Sequence, residues 1–174
     1  MGIWWNPWEV ILHNFVMIKY SISAEFHFIG TKIRGCLTNF YGPFKFAQKH
    51  AFIESLTDIK EWVVTRHWMV GGDFNLIKFL KEKKGCQITL GQISETFSKK
   101  IYDLDLVDVI TTNSLYTWSN QRSGDRNIAS HLDRFMLSEC ILIEGGDLAA
   151  LVLPTAGSDH WSISLEWRPG ENLW

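Results

Sequence analysis

The spacing of the apolar residues changes at Gly42-Pro43, and this change limits the folds that the chain can adopt. Before it, three runs rich in Val, Ile and Phe, at residues 9–20, 24–29 and 33–41, are separated by short turns, which predicts a meander of antiparallel strands. After it, apolar residues recur at helical spacing over residues 44–63, which predicts an amphipathic helix. The chain therefore combines a sheet with helices.

The rest of the pattern contains short strands and a second helix, and no linker divides it. Pro and Gly are scattered as turn residues and no repeat occurs, so residues 1–174 are expected to form a single domain. Strand runs mixed with a few helices predict an α/β layered sandwich. The predicted strands are 67–70, 116–119, 128–137, 148–153 and 161–167, and the second predicted helix is 90–102.

The composition favours an aromatic core and excludes a protein that holds nucleic acid by charge alone. Hydrophobic residues make up 46% of the chain, and nine Trp and eleven Phe are among them. The formal net charge is -2, which is not the basic surface of a nucleic-acid clamp. An enzyme that meets phosphate through a metal ion does not need such a surface everywhere.

The three cysteines favour a reducing, intracellular setting, in the nucleus or the cytoplasm. Cys36, Cys86 and Cys140 lie far apart and form no CxxC pair, so each is expected to be a small buried or half-buried residue. No signal peptide is visible, and the apolar run at 10–18 is too short to span a bilayer. We therefore expect no association with a membrane and no obligate protein partner.

The segment Gly-Gly-Asp-Phe-Asn at 71–75 directly follows a predicted strand. Its glycines let the backbone turn sharply and let a ligand approach closely. If strand geometry persists, Asp73 and Asn75 point to the same side, where a carboxylate can accept a proton from water and an amide can donate to phosphate. The alternative interpretation is an Asx-rich turn that caps the strand.

The tripeptide Ser-Asp-His at 158–160 offers an oxygen ligand for Mg²⁺ or Mn²⁺ and a titratable imidazole. Because neighbours on a strand face opposite sides, Asp159 and His160 are expected to have different partners. Asp133 can accept one ring N–H of His160 and leave the other nitrogen free to act. The alternatives are a capped turn at Asp159 and a solvent-facing ion pair of Asp133 with Arg134 on an edge strand.

Two further features either contact nucleic acid or serve only the fold. Trp118, in Tyr-Thr-Trp-Ser at 116–119, can stack on a base or sugar, although packing in the core is the simpler interpretation. A basic cluster follows Asn75 and fits either a DNA-facing loop or a solvated loop, since Glu82 sits among its members. Its members are Lys78, Lys81, Lys83 and Lys84.

Taken one at a time these segments are weak signals, but their order and spacing are specific. Together they resemble the motifs of the endonuclease/exonuclease/phosphatase superfamily, and most closely those of the endonuclease domains of plant LINE-type retrotransposons. The resemblance covers nearly the whole chain. The matching strings are Asn-Phe-Tyr-Gly-Pro at 39–43, Gly-Asp-Phe-Asn at 72–75, Tyr-Thr-Trp-Ser-Asn at 116–120, Leu-Asp-Arg-Phe at 132–135 and Ser-Asp-His at 158–160.

The resemblance implies a DNase I-like fold, in which two facing sheets are flanked by helices in four α/β/β/α layers. It also implies a metal-dependent DNA endonuclease or phosphodiesterase, with Mg²⁺ or Mn²⁺ as cofactor and DNA as partner. Carried over by motif, it assigns catalytic roles to Tyr41, Asp73, Asn75, Asp133 and His160, a metal-binding role to Asp159 and nucleic-acid contact to Trp118.

Within the implied site each catalytic residue has a separate task. Tyr41 contacts the phosphate, Asp73 positions or activates the attacking water, and Asn75 holds the phosphate. His160 stabilises the charge that develops on the phosphate, and Asp133 orients His160. These tasks agree with the chemistry, because attack on an anionic phosphodiester needs neutralisation of charge and a nearby base.

The chain departs from the family pattern near its start and at His131. The family begins with a strand, a helix and a strand that carry an Asn and a metal-binding Glu, and Asn6, Glu9 and Glu25 do not resemble these motifs. We therefore expect an N-terminally truncated domain with weak metal binding, little or no turnover, and an exposed sheet edge and core that invite association. His131 stands where retroelement relatives often carry Arg, which can weaken a phosphate or structural contact.

Three functions remain open at this point, and whether the chain is an active enzyme is among the open questions. The first is a nuclease domain that acts on DNA, which the five ordered motifs favour. The second is a non-catalytic relic of a retroelement, which the missing Glu motif favours. The third is a phosphatase of the same superfamily that acts on inositol phosphates or lipids, and the strings Tyr-Thr-Trp-Ser and Leu-Asp-Arg-Phe favour the retroelement branch over it.

Overall fold

Three antiparallel strands begin the main sheet: β1 (Val10–Ile18), β2 (Ser21–Phe28) and β3 (Arg34–Tyr41). The structure is a computed structural model that describes residues 2–3, 5–85, 91–144, 146–155 and 157–169. The strands pair in sequence order, with a bulge in β1 between His13 and Phe15. The predicted meander is therefore confirmed.

The chain then crosses from β3 to a parallel neighbour, β4 (Trp68–Asp73), through the helix α1 (Lys49–Trp62). The helix begins later than predicted because Lys45 is extended and Phe46–Gln48 form a single 3₁₀ turn. The second helix, α2 (Gln92–Asp103), packs beside α1. Its predicted start at residue 90 lies outside the described residues. Within the described part of the chain, none of the helices combines the length and the apolar character that crossing a bilayer requires.

The prediction of one strand over residues 128–137 is wrong, because this segment forms two strands that belong to different sheets. β8 (Ala129–Ser130) belongs to a small sheet, whereas β9 (Asp133–Ser138) lies in the main sheet between β4 and β6 (Leu106–Val109). The strand breaks because the backbone N–H groups of Leu132 and Asp133 donate to the hydroxyl oxygen of Thr117 instead of to a neighbouring strand. Alternation of apolar residues does not reveal such a corner.

The main sheet has the order β1–β2–β3–β4–β9–β6, and two smaller sheets accompany it. The described residues thus confirm the predicted α/β class with several sheets. Three elements were not predicted, since segments of two to five residues show no readable period. They are the short strands Lys83–Lys84 and Leu106–Val109 and the short helix Glu139–Ile143. The remaining elements are β5 (Lys83–Lys84), β7 (Trp118–Ser119), α3 (Glu139–Ile143), β10 (Gly146–Val152) and β11 (Ile163–Pro169), with β5–β8–β7 and β10–β11 as the small sheets.

The core lies between the main sheet and the helices α1 and α2, and it is aromatic, as the composition predicts. The ring centroid of Phe52 on α1 is 5.9 Å from that of Phe40 and 6.0 Å from that of Phe74. Phe74 is in turn 5.5 Å from Phe97 on α2. All four rings are buried, and burial of each stabilises the fold by about 1.5–3 kcal/mol. This row of rings fixes both helices to the carboxyl ends of β3 and β4.

Alternation along the central strands turns three polar side chains away from the helices. Phe40 on β3 and Met136 on β9 belong to the core, so the adjacent Tyr41 and the odd-numbered positions of β9 face the opposite side of the sheet. The register places Tyr41 opposite Asp73 and Asp73 opposite Asp133. Residues from three distant parts of the sequence thus meet at one end of the sheet.

Gly71 and Gly72 lie inside β4, so the prediction that they form a turn after the strand is wrong. Gly72 has a φ of +135°, and a Cβ there would lie 2.0 Å from the carbonyl oxygen of Phe40. A Cβ at Gly71 would lie 2.9 Å from the ring of Phe135. The missing side chains therefore allow close approach of neighbouring strands directly before Asp73.

A buried charge network fixes the start of β9. The guanidinium of Arg134 is buried on the core side, where it pairs with Glu82 and lies 2.7 Å from a carboxylate oxygen of Asp108. The Nζ of Lys78 lies 3.4 Å from the same Asp108 oxygen. Glu82 is therefore buried rather than part of a solvated loop. The alternative interpretation of Asp133 and Arg134 as a surface ion pair is wrong, since their side chains face opposite sides of β9.

His131 is buried beside this network, and within the described residues neither of its ring nitrogens has a hydrogen-bond partner. Burial and, to a lesser degree, the positive charge of Arg134 lower the pKa of His131. The ring is therefore neutral in the folded chain. A buried ring cannot contact a phosphate, so only the structural interpretation of this position agrees with the structure.

The edge of the sheet at β1 keeps large apolar side chains exposed, among them Trp8, Phe15 and Met17. No described strand pairs with the outer side of β1. An open edge beside apolar side chains is a surface on which chains can associate. The cysteines agree with the prediction, since Cys36 is buried and Cys140 half-buried, while Cys86 lies outside the described residues.

Gly72→Ala is expected to lower the free energy of unfolding by an amount on the order of 3 kcal/mol, because the added methyl group would overlap the Phe40 carbonyl at an unfavourable φ. Urea denaturation followed by circular dichroism measures this change. Gly91→Ala is the matched control, since a Cβ there meets nothing within 4 Å. Equal stabilities of the two variants would contradict the prediction.

Glu82→Ala is expected to destabilise the fold by about 3–5 kcal/mol, because it leaves the buried guanidinium of Arg134 with an incomplete set of partners. Glu54→Ala, which removes an exposed ion pair with Lys100, is the control and should cost at most about 1 kcal/mol. Both values come from the same denaturation experiment. A loss for Glu82→Ala no larger than that for the control would show that the network does not stabilise the fold.

Candidate functional site

A cleft of about 720 Å³ opens at the carboxyl ends of β3 and β4, and we call it the Asp73 cleft. The segment before β11 forms its opposite wall, and the backbone N–H of Ser119 on β7 holds this wall by donating to the carbonyl of Asp159 at 2.9 Å. The structure therefore brings together the residues that the five motifs predict. Six of the seven line the cleft, namely Tyr41, Asp73, Asn75, Trp118, Asp159 and His160, and Asp133 contacts His160.

His160 stands between two aspartates. Its Nδ1 lies 3.0 Å from Oδ2 of Asp133, so Asp133 accepts a ring N–H and orients the imidazole. Its Nε2 lies 4.0 Å from Oδ2 of Asp73, which is too far for a hydrogen bond. Nε2 is therefore available to a ligand in the cleft.

Asp73 and Asn75 form a hydrogen-bonded turn directly after β4. The backbone N–H of Asn75 donates to Oδ1 of Asp73 and its side-chain Nδ2 donates to Oδ2, both at 2.9 Å. Nδ2 also donates to the carbonyl of Gly42 at 2.9 Å, so both amide hydrogens are engaged. Asn75 has a φ of +51°, so a left-handed turn brings the two side chains together, and the condition that strand geometry persists to Asn75 is not met.

Burial raises the pKa of Asp73 from 3.8 to about 6. The hydrogen bonds from Asn75 and the charge of His160 act in the opposite direction, whereas the negative charge of Asp133 adds to the effect of burial. A carboxylate of this kind is ionised at neutral pH but basic enough to accept a proton from water.

Trp118 and Asp159 form the wall opposite Asp73. The indole Nε1 of Trp118 donates to Oδ2 of Asp159 at 2.9 Å, and this hydrogen bond lowers the pKa of Asp159. Asp159 and His160 thus have different partners, as alternation predicts. Trp118 is half-buried at the cleft, so its interpretation as a core residue is wrong.

Thr117 is a residue of the site that the sequence analysis missed. Its buried hydroxyl oxygen accepts the backbone N–H of Asp133 at 2.9 Å, and its carbonyl accepts the N–H of Trp161 at 2.8 Å. Thr117 therefore fixes the distance between Asp133 and the segment that carries His160. Its place inside the Tyr-Thr-Trp-Ser string was the available signal.

Two lysines line the cleft, and only one of them belongs to the predicted basic cluster. Lys49, at the start of α1, donates from Nζ to the carbonyl of Asn75 at 2.7 Å, and burial lowers its pKa. Lys83 comes from the predicted basic cluster, which does not act as one unit. Lys78 pairs with Asp108, and Lys84 lies over the ring of Tyr116 outside the cleft.

The carboxylates of the cleft are oxygen donors of the kind that bind Mg²⁺ or Mn²⁺. Donor atoms of Asp73, Asp133 and His160 lie within 4.8 Å of one another, but hydrogen bonds among these residues and Asn75 already engage most of them. Asp159 is exposed and is engaged through one oxygen only, so it is the carboxylate best placed to receive a cation. No glutamate of the described residues lines the cleft.

No family model and no curated protein sequence matches the chain. Several solved structures are similar to it over most of its length. The endonuclease domain of TRAS1, a telomere-specific non-LTR retrotransposon, superposes with a TM-score of 0.69 and 15% identity over 92% of this chain and 68% of that chain. The 3' phosphatase NExo from Neisseria, bound to a product DNA hairpin, has a TM-score of 0.64 and 19% identity over 86% of this chain and 65% of that one.

An endonuclease/exonuclease/phosphatase family protein from Bacteroides thetaiotaomicron has a TM-score of 0.62 and 14% identity, over 92% of this chain and 64% of that chain. The chain therefore spans about two thirds of the length of each of these proteins. At these identities the similarity concerns the fold. The fold of this chain is that of the DNase I-like endonuclease/exonuclease/phosphatase proteins.

Proposed function

We propose that residues 1–174 are a single phosphodiesterase domain that cleaves DNA, of the kind carried by LINE-type retroelements of plants. One observation carries the proposal: His160, oriented by Asp133, faces the partly buried Asp73 across 4.0 Å. This arrangement places an imidazole and a proton-accepting carboxylate around one position that a phosphate can occupy.

Asp73 is the residue that accepts a proton from the attacking water. The two hydrogen bonds from Asn75 hold its carboxylate in one orientation, and burial raises its pKa to about 6. Proton transfer is most efficient when the pKa of the base is close to the working pH. Asn75 supports this task, and binding of phosphate by its amide requires the exchange of one of its present hydrogen bonds.

In this proposal His160 donates a hydrogen bond from Nε2 to a phosphoryl oxygen as negative charge develops there. Asp133 accepts a hydrogen bond from the Nδ1–H and so fixes the orientation of the ring. Tyr41 lies beside Asp73 at the rim of the cleft, where its hydroxyl group can contact another phosphate oxygen. These donors replace the water that solvates the phosphate when it is free.

A divalent cation, Mg²⁺ or Mn²⁺, held by Asp159 together with water and phosphate oxygens, would neutralise charge on the phosphate. Among the described residues Asp159 is the one lining carboxylate that is not tied into the Asp73 and His160 network. We therefore infer weak binding of the cation and slow turnover.

DNA is the proposed substrate because the cleft combines cations with aromatic side chains. Lys49 and Lys83 supply positive charge, and Tyr41 and Trp118 supply ring faces at the rim. An endonuclease domain of a non-LTR retrotransposon shares the fold. The Tyr-Thr-Trp-Ser and Leu-Asp-Arg-Phe strings further favour the retroelement branch over a phosphatase for inositol phosphates.

Supercoiled plasmid is expected to be nicked slowly, at Mg²⁺ or Mn²⁺ concentrations on the order of millimolar, because a single exposed carboxylate would hold the ion weakly. Asp73→Ala and His160→Ala should each abolish nicking, since one removes the proton acceptor and the other the donor to the phosphate. Conversion of supercoiled to open-circular plasmid on agarose gels measures the rate.

Asp58→Ala and His50→Ala are the matched controls, because both residues are exposed on α1 and neither lines the cleft. Nicking that survives in Asp73→Ala would contradict the proposed site. Release of inorganic phosphate from inositol phosphates without nicking would point to a phosphatase instead. The absence of both activities would favour a non-catalytic relic.

The stability of Asp73→Asn relative to the parent is expected to rise as the pH increases from 3.8 to beyond about 6. The raised pKa of Asp73 means that the folded state holds a proton between pH 3.8 and about 6 that the unfolded state releases, so the ionised carboxylate destabilises the fold above that range. The free energy of unfolding of the variant minus that of the parent should increase by about 2 kcal/mol between about pH 4 and about pH 7. Urea denaturation at several pH values measures it, and a pH-independent difference would contradict the prediction.

A further inference from the structure

Three exposed aromatic side chains stand at the mouth of the Asp73 cleft. Tyr41, Phe44 and Phe46 are 61%, 87% and 67% exposed. They lie on the segment that runs from the last residue of β3 to the 3₁₀ turn before α1, and we call them the aromatic ridge. Large apolar side chains in such a short exposed segment do not serve the core, which is a common mark of a binding surface.

The ridge lies between two clefts. A second cleft of about 680 Å³ adjoins the Asp73 cleft, and Tyr41, Phe44 and Asp73 line both of them. A ligand that extends from one cleft into the other must therefore pass over the aromatic rings and directly beside Asp73. This arrangement fits an extended chain better than a compact molecule.

Both clefts are lined by lysines. Lys49 and Lys83 line the Asp73 cleft, whereas Lys19 and Lys45 line the second cleft. Cations thus lie in both of the clefts that meet at the ridge, and Lys45 stands within the ridge segment itself. A polymer that carries a negative charge at every repeat can contact lysines in both clefts.

We propose that the aromatic ridge receives unpaired bases of a single-stranded nucleic acid, with the lysines of the two clefts on the phosphates to either side. Stacking on Phe44 and Phe46 requires an open base face, and in a duplex the faces are covered by neighbouring base pairs. An inositol phosphate has no planar ring to stack. The inference rests on the proposed function for the position of the reactive phosphate, and it adds a preference for unpaired over paired substrate.

Binding without cleavage tests the ridge directly. A fluorescein-labelled oligothymidylate of roughly 12 nucleotides is titrated with the full chain in EDTA, and fluorescence anisotropy gives Kd. Phe44→Ala and Phe46→Ala should each weaken binding by about 5-fold or more. Phe15→Ala, which removes a ring of 60% exposure that lines neither cleft, should leave Kd unchanged.

Two further measurements separate stacking from a general loss of structure. Phe44→Trp should bind at least as tightly as the parent, because it keeps a ring face at the same position. A 2-aminopurine base in the oligonucleotide should change in fluorescence on binding to the parent and not on binding to Phe44→Ala. A duplex of the same length should bind about 10-fold more weakly than the single strand.

Equal Kd values for the parent and both alanine variants, a duplex that binds as tightly as the single strand, or no measurable binding of the single strand would each overturn the inference. These outcomes are independent of the nicking assay. Tight binding that depends on the ridge, without nicking, would support the single-strand site and contradict the proposed nuclease activity. Nicking together with binding that does not depend on the ridge would support the nuclease activity and contradict the single-strand site.

Discussion

The pairing of β4 with β9 is the constraint on which the site depends. Asp133 and Arg134 are consecutive on β9, so one faces the cleft and the other faces the core. On the core side of the sheet, the buried network of Arg134 with Glu82 and Asp108 fixes the position and register of β9. Asp133 then lies directly opposite Asp73 and within reach of His160. Displacement of the guanidinium would therefore move the carboxylate that orients the imidazole.

The sequence was sufficient for the meander, for both long helices and for the residues that meet in the cleft, because each rests on a local pattern or a motif. It was not sufficient for the corner at Leu132, since that break depends on the hydroxyl group of Thr117, a contact over 15 residues. It also missed Lys49 as a cleft residue, because its contact with the carbonyl of Asn75 exists only after α1 packs on the sheet. Long-range polar contacts of this kind leave no period in the sequence.

The backbone after β4 forms a left-handed turn instead of the extended strand considered from the sequence. Asp73 and Asn75 converge, but through a positive φ at Asn75 and a strand that continues through Gly71 and Gly72. The glycines are needed for strand contact rather than for a turn, and the turn itself uses an asparagine, which tolerates the left-handed region. The residues with positive φ, Gly72 and Asn75, thus lie next to the reactive carboxylate of Asp73, which has to be held in one orientation.

The surface loop at residues 120–127 is hydrogen-bonded to the segment that carries His160. Its two asparagines hold β7, since Asn120 accepts the N–H of Ile128 at 3.0 Å and Asn127 donates to the hydroxyl oxygen of Ser119 at 3.1 Å. Gln121 donates to the carbonyl of Ser158 at 2.8 Å, two residues before His160. A substitution of Gln121 would therefore remove a contact that holds the backbone two residues before the histidine, although Gln121 itself lies outside the Asp73 network.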